Sequence, residues 1–185
     1  MNILGIAGSL RRQSFNRSLL RAAQELAPEG STIETFDLEG LPLFNQDEET
    51  NPQPKVVELK QRIRAADAIL FVTPEYNYSV PGVLKNAIDC ASRPYGDSAW
   101  NGKPCAIMGA TVGTIGTARA QYHLRQMLVF LNMYPVNQPE VMVAGAHKYF
   151  AEDGRLTDET AKKLIQQLLQ ELVNWTRKLE GNANK

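Results

Sequence analysis

Cysteine, histidine and any excess of one charge are all scarce in this 185-residue sequence, and each shortage removes a class of function. The two cysteines, Cys90 and Cys105, stand fifteen positions apart in apolar stretches, which leaves no CxxC redox pair and no metal-ligand spacing. They read as small buried hydrophobes. His123 and His147 are the only histidines, and no carboxylate or thiol stands near either in the order a metal site needs. No zinc or iron site is expected. Twenty basic residues balance twenty acidic ones. That balance argues against a nucleic-acid partner, which calls for a basic excess, and against an acidic electron shuttle that docks on basic proteins. No apolar run is long enough to span a bilayer, so no membrane partner is expected. The opening Met1-Asn-Ile-Leu-Gly-Ile6 enters an apolar strand without a charged leader or cleavage pattern, and the expected compartment is the cytoplasm.

What is present is an alternation of short apolar runs and amphipathic stretches, long enough for a single domain over residues 1–185 with a sizeable core. Strands are predicted over Ile3–Ala7, Thr32–Leu38, Ala68–Thr73, Cys105–Ala110 and Val136–Ala144. The third is apolar at nearly every position, as a parallel strand covered on both faces requires. Helices are predicted over Phe15–Ala27, Val56–Ala66, Pro81–Ser92, Thr117–Asn132 and Asp158–Leu179, with an exposed connection over Gly40–Pro54 and a frayed tail over Gly181–Lys185. Five strands alternating with five helices predict an α/β three-layer fold of the flavodoxin-like kind. Its parallel sheet has the order 2-1-3-4-5 with helices on both faces.

In such a sheet ligands bind beyond the carboxyl ends of the strands, where the strand order reverses. Three unusual loops belong there. Gly8-Ser-Leu-Arg-Arg-Gln-Ser-Phe-Asn-Arg17 runs into a helix N-terminus, where free N–H groups and the helix dipole favour an anion. Ser9, Ser14 and Asn16 add short polar side chains, and Arg11, Arg12 and Arg17 add charge suited to a compact phosphate. A helix cap alone would explain Ser14 but not three arginines. The loop is neither a Walker motif nor a GxGxxG fingerprint, which disfavours a P-loop nucleotidase and a classical dinucleotide domain. Thr73-Pro-Glu-Tyr-Asn-Tyr-Ser-Val-Pro-Gly82 offers aromatic faces and amide donors, as a flavin ring needs. Gly109-Ala-Thr-Val-Gly-Thr-Ile-Gly116 permits close backbone approach, with Thr111 as a hydroxyl donor.

With these loops the sequence resembles the NADPH-dependent FMN reductase family, the flavodoxin-like quinone, azo-dye and chromate reductases. The resemblance rests on G-S-L-R-x-x-S-x-N at Gly8–Asn16 and T-P-E-Y-N-x-S-x-P-G at Thr73–Gly82, with Leu84–Asp89 and Gln121–Gln126 also matching. It implies that Ser9, Arg11, Ser14, Phe15 and Asn16 contact the FMN phosphate region. It further implies that Pro74, Glu75, Tyr76, Asn77 and Tyr78 surround the isoalloxazine, and that Thr111 and Gly113 close its other edge. The expected activity is transfer of reducing equivalents from NADPH or NADH through bound FMN to a small-molecule acceptor such as a quinone, azo, nitro or chromate compound. The cycle expected is ping-pong, with no side chain as nucleophile. A flavin reductase that releases reduced FMN and a flavodoxin-type electron carrier are the alternatives. The helix over Thr117–Asn132 is apolar on more than one face, which reads either as a broad core face or as a dimer interface with Arg119, Arg125 and Glu140 as polar contacts; the resemblance favours the interface, and a homodimer or homotetramer is expected.

Overall fold

The structure, a computed structural model, describes residues 1–183. Strands β1 (Asn2–Ala7), β2 (Thr32–Phe36), β3 (Ala68–Val72), β4 (Pro104–Ala110), β5 (Tyr134–Pro135) and β6 (Val141–Val143) alternate with helices. The helices are α1 (Phe15–Glu25), α2 (Pro54–Ala65), α3 (Gly82–Ala91), α4 (Ala118–Phe130) and α5 (Glu159–Ala183). All strand pairs are parallel, in the order β2-β1-β3-β4-β5, with β6 also against β4. The predicted strand order and layering are those observed. Every residue of β3 and β4 is buried, because alternate side chains of a doubly covered strand enter opposite cores. Leu70 and Val72 pack with α1 and α5. Ile69 and Phe71 pack with α2, α3 and α4, where Phe71 lies 5.6 Å from the buried Trp100 ring. The Trp100 indole N–H is satisfied by the Ile88 carbonyl at 3.0 Å.

Two expectations need correction. The single strand predicted over Val136–Ala144 is two pieces: Tyr134–Pro135 pairs with Pro104–Cys105, and Val141–Val143 pairs with Met108–Ala110. Pro135 and Pro139 have no N–H to give a ladder, so the chain leaves β4 between them and returns. Helix α5 continues to Ala183, past the predicted end at Leu179 and the predicted fraying from Gly181. Residues 184–185 lie outside the described residues. Among the described residues no helix is long and apolar enough to cross a membrane.

One glycine decides how closely two of the loops approach. A Cβ on Gly109 would overlap the Thr73 carbonyl oxygen and the Thr117 hydroxyl. Backbone cannot yield as a flexible side chain would, so Gly109→Ala is expected to lower stability by about 1–3 kcal/mol in urea unfolding. An unchanged midpoint would contradict this packing.

Burial also sets the thiol chemistry. Desolvation pushes the Cys105 thiol up to about 12 and, first among its causes, the Cys90 thiol up to about 11. At pH 8, far below both raised values, the two thiols carry almost no thiolate. Both cysteines are expected to resist iodoacetamide at pH 8 until the chain is unfolded. Rapid labelling of the native protein would refute this.

Candidate functional site

The loops after β1, β3 and β4 converge at one edge of the sheet, on either side of the point where strand order reverses. The first continues the ladder for one residue, Gly8 N–H donating to Val72 at 2.9 Å, and then turns into α1. Ser14 caps the helix, its Oγ accepting from the Asn16 N–H at 3.2 Å. Ser9 Oγ accepts from the Arg11 N–H at 3.4 Å. Each hydroxyl keeps its own hydrogen to donate. The backbone N–H groups of Phe15 and Arg17 have no hydrogen-bond acceptor among the described residues. These are the donors a helix N-terminus offers an anion.

The arginines divide by role. Arg17 is a brace: its Nε donates to the Ser9 carbonyl at 3.0 Å, and it pairs with Asp37 at 2.9 Å. Arg11 and Arg12 are exposed, and the Arg11 guanidinium lies 5.5 Å from the Phe15 ring. Phe15 packs in turn against Phe150, with centroids 5.2 Å apart. Its ring is thus engaged by Arg11 and Phe150, and its N–H is the group left free. The side chain of Asn16 turns to the end of β4, donating to the Ala110 carbonyl at 2.8 Å and accepting the Ala110 N–H at 2.9 Å.

The second loop is a tight hairpin. Tyr76 and Ser79 exchange both backbone hydrogen bonds, at 3.0 and 2.9 Å, around Asn77 (φ 49) and Tyr78 (φ 64). Two left-handed residues in succession are the signature of a type I′ turn. Asn tolerates that conformation, whereas Tyr78 carries a cost of order 1 kcal/mol. Helix α4 offsets it. The Arg119 guanidinium stacks 3.6 Å from the Tyr78 ring centre. Glu75 accepts from Arg119 Nε at 2.6 Å and from the Ala120 N–H at 3.1 Å, placing a buried carboxylate at the start of the helix. His123 Nδ1 lies 3.1 Å from Ser79 Oγ. Pro74 is buried beneath the hairpin, while Tyr76, Asn77 and Tyr78 stand in solvent.

The third loop is fixed from the other side, with Thr111 N–H bonded to Val143 at 3.0 Å and its carbonyl to the Ala146 N–H at 2.9 Å. Thr111 Oγ1 accepts from the Gly113 N–H at 3.4 Å. Between the second and third loops lies a cleft of about 400 Å³, lined by Glu75, Asn77, Tyr78, Thr111, Gly113 and Arg119 among others. Pro74, Tyr76 and the first loop do not line it; the first loop is connected to its edge by the bonds from Asn16 to Ala110, which precedes Thr111.

Sequence reasoning missed the partners rather than the loops. Arg119, expected at a subunit contact, is the hub that joins Glu75 to Tyr78. Arg125 donates to the Val136 carbonyl at 2.9 Å. Between these two arginines on α4, the Tyr122 phenol is pushed above its ordinary value by Glu140, chiefly by hydrogen bonding and then by charge. Tyr122 is thus neutral at pH 7.

Comparison with known proteins adds to this geometry. Residues 1–148 match the profile of the NADPH-dependent FMN reductases. The chain belongs to that family. An NAD(P)H-dependent FMN reductase of Pseudomonas aeruginosa is 54% identical over 182 residues, covering 98% of each chain. A 2-hydroxy-1,4-benzoquinone reductase of a Burkholderia species is 44% identical, covering 96% of this chain and 97% of the other. The solved structure of FerB, a flavoenzyme NAD(P)H:(acceptor) oxidoreductase of Paracoccus denitrificans, superposes with a TM-score of 0.88 at 38% identity, covering 96% and 97% of the two chains. As an FMN reductase family member the chain is a flavodoxin-like oxidoreductase that works with FMN and NAD(P)H.

The site residues fit FMN. Uncommitted donors at the α1 terminus suit a phosphate, and the cleft between hairpin and glycine loop suits a flat ring with polar edges.

The clamp on the hairpin can be tested without ligand. Glu75→Ala removes the acceptor of both Arg119 and the Ala120 N–H. It is expected to lower stability by about 1–2 kcal/mol, discounted for the exposed guanidinium, and to speed amide exchange over residues 75–79. Unaltered exchange there would show that α4 does not hold the hairpin.

Proposed function

We propose that this chain is an NAD(P)H-dependent, FMN-containing reductase of quinones and similar soluble acceptors, including azo, nitro and chromate compounds. The observation that carries the reading is the set of uncommitted donors at the start of α1 beside the cleft of the second and third loops. The Ser9 and Ser14 hydroxyls and the Phe15 and Arg17 N–H groups bind the phosphate, and Arg11 adds charge. Asn77 and Tyr78 lie along one side of the ring, with Pro74, Glu75 and Tyr76 shaping and supporting that side. Thr111 and Gly113 lie along the other. When bound, FMN supplies the chemistry, accepting reducing equivalents from the nicotinamide and passing them to the acceptor. The chain supplies binding, orientation and an opening flanked by Tyr76 and Tyr78, which are 50% and 66% exposed. Donor and acceptor use that one opening in turn, which is the basis for a ping-pong cycle. The 2-hydroxy-1,4-benzoquinone reductase among the relatives supports a quinone as acceptor.

The chain works as a single domain, in the cytoplasm, and as a homodimer or homotetramer. Val129 and Phe130, 81% and 76% exposed on α4, support self-association through that helix. Release of reduced FMN to a second enzyme is the other reading, favoured by the relative named as an FMN reductase.

The purified protein is expected to carry flavin bands that bleach on anaerobic NADPH and return on adding benzoquinone. Flavin kept through gel filtration supports the bound-cofactor cycle, and flavin lost there supports the diffusible one. A chain that neither takes up FMN nor oxidises NADPH would end both. Arg11→Ala is expected to weaken FMN binding roughly tenfold at low salt and less at high salt, since the guanidinium is exposed to screening. Equal affinity at both salt concentrations would remove Arg11 from the phosphate seat.

A further inference from the structure

We infer that Asn16 is a positioning residue that ties the phosphate seat to the ring seat and makes no contact with FMN itself. The inference rests on the flavin reading of the cleft. Met108 O accepts from Thr73 N–H at 2.9 Å, toward β3, and Thr111 N–H donates to Val143 at 3.0 Å, toward β6. Alternate residues of a parallel strand address alternate neighbours. Ala110, two after Met108, therefore points its N–H and C=O toward β3. There the partner strand has gone: β3 ends at Val72, Thr73 gives its N–H to Met108, and the chain turns away at Pro74.

Asn16 stands in for the missing strand. Its Nδ2 donates to the Ala110 carbonyl at 2.8 Å, and its Oδ1 accepts the Ala110 N–H at 2.9 Å, across 94 positions of sequence. A carboxamide matches that pair because it carries a donor and an acceptor side by side. Aspartate cannot donate, and serine is too short to span both groups. Asn16 is 2% exposed and Ala110 1% exposed, so water cannot replace the bonds without opening the structure. A single Nδ2 hydrogen is left, and the buried amide aims at β4 rather than at the anion seat.

The tie joins the two halves of the site. Asn16 is the second residue of α1, between the Phe15 and Arg17 N–H groups of the phosphate seat. Ala110 immediately precedes Thr111, which lines the ring cleft. Beyond the packing of α1 on the sheet, one side chain thereby joins the two seats directly.

The test compares FMN-loaded wild type with Asn16→Ser, Asn16→Asp and Ser14→Ala. It reads amide exchange over residues 110–116 and dissociation constants for FMN and riboflavin. For the Asn16 variants, exchange is expected to quicken roughly tenfold or more, the loss expected when a buried hydrogen-bond pair is left unmet. Both flavins should weaken by the same factor in Asn16→Ser. Riboflavin carries no phosphate, so its loss in Asn16→Asp reads the tie free of charge repulsion. Ser14→Ala should instead weaken FMN more than riboflavin. The inference is overturned if exchange is unchanged and only FMN weakens in Asn16→Ser, which would make Asn16 a phosphate contact. It is equally overturned if nothing changes. Should neither Asn16 variant fold, the wild-type Ala110 amide decides: protection equal to mid-β4 supports the tie, and exchange as fast as Val112 refutes it. A wild type that takes up no FMN would sink the flavin reading, while the exchange comparison would still judge the tie.

Discussion

Backbone pairing at the carboxyl edge of the parallel sheet is the constraint on which this site depends. Inside the sheet each strand satisfies its neighbours, but at the edge the strands end at different residues and leave buried groups facing departed partners. Here two side chains complete the ladder's work. Asn16 takes the end of β4, and Glu75 takes the Ala120 N–H in the first turn of α4 together with the Arg119 guanidinium. Each joins a loop of the site to an element that follows a different strand. Loops that would otherwise move independently are cross-tied into one surface.

The same bonds separate the polar groups that serve the fold from those left for a ligand. Asn16, Glu75, Arg17 and Arg119 are engaged within the chain. The Ser9 and Ser14 hydroxyls, two N–H groups of α1 and the exposed Arg11 are not. A binding site needs donors that are placed but unsatisfied, and their cost is tolerable only where a ligand or water can meet them. The helix terminus meets that condition because its dipole already favours an anion. The hairpin adds a second case, with Tyr78 kept in a left-handed conformation by the stacked Arg119 so that its ring lies along the cleft.

Much of this was legible in the sequence because it is local. The nearly unbroken apolar run of β3 announced a doubly covered sheet, and the helical periodicities placed the ends of α1 to α4 within about two residues. The three loops were found because serine, arginine, tyrosine and glycine are conspicuous after apolar strands. The split of the fifth strand has its own local signal in Pro135 and Pro139, which the strand predicted over Val136–Ala144 left out of account. What could not be read were the partners. Asn16 meets Ala110 across 94 positions and Glu75 meets Arg119 across 44, and no periodicity couples residues so far apart. The type I′ hairpin escaped for a different reason: a tyrosine at positive φ is rare, and only the tertiary clamp from α4 makes it stable.

The central claim is that the start of α1 takes the phosphate of FMN through backbone groups the fold leaves unpaired. Titration of ¹⁵N-labelled protein with FMN tests it most directly. The account predicts that the Phe15 and Arg17 amide protons move downfield further than those of any other residue in α1, as a charge-assisted hydrogen bond requires. Amides at Phe15 and Arg17 that stay in place while FMN binds would contradict it.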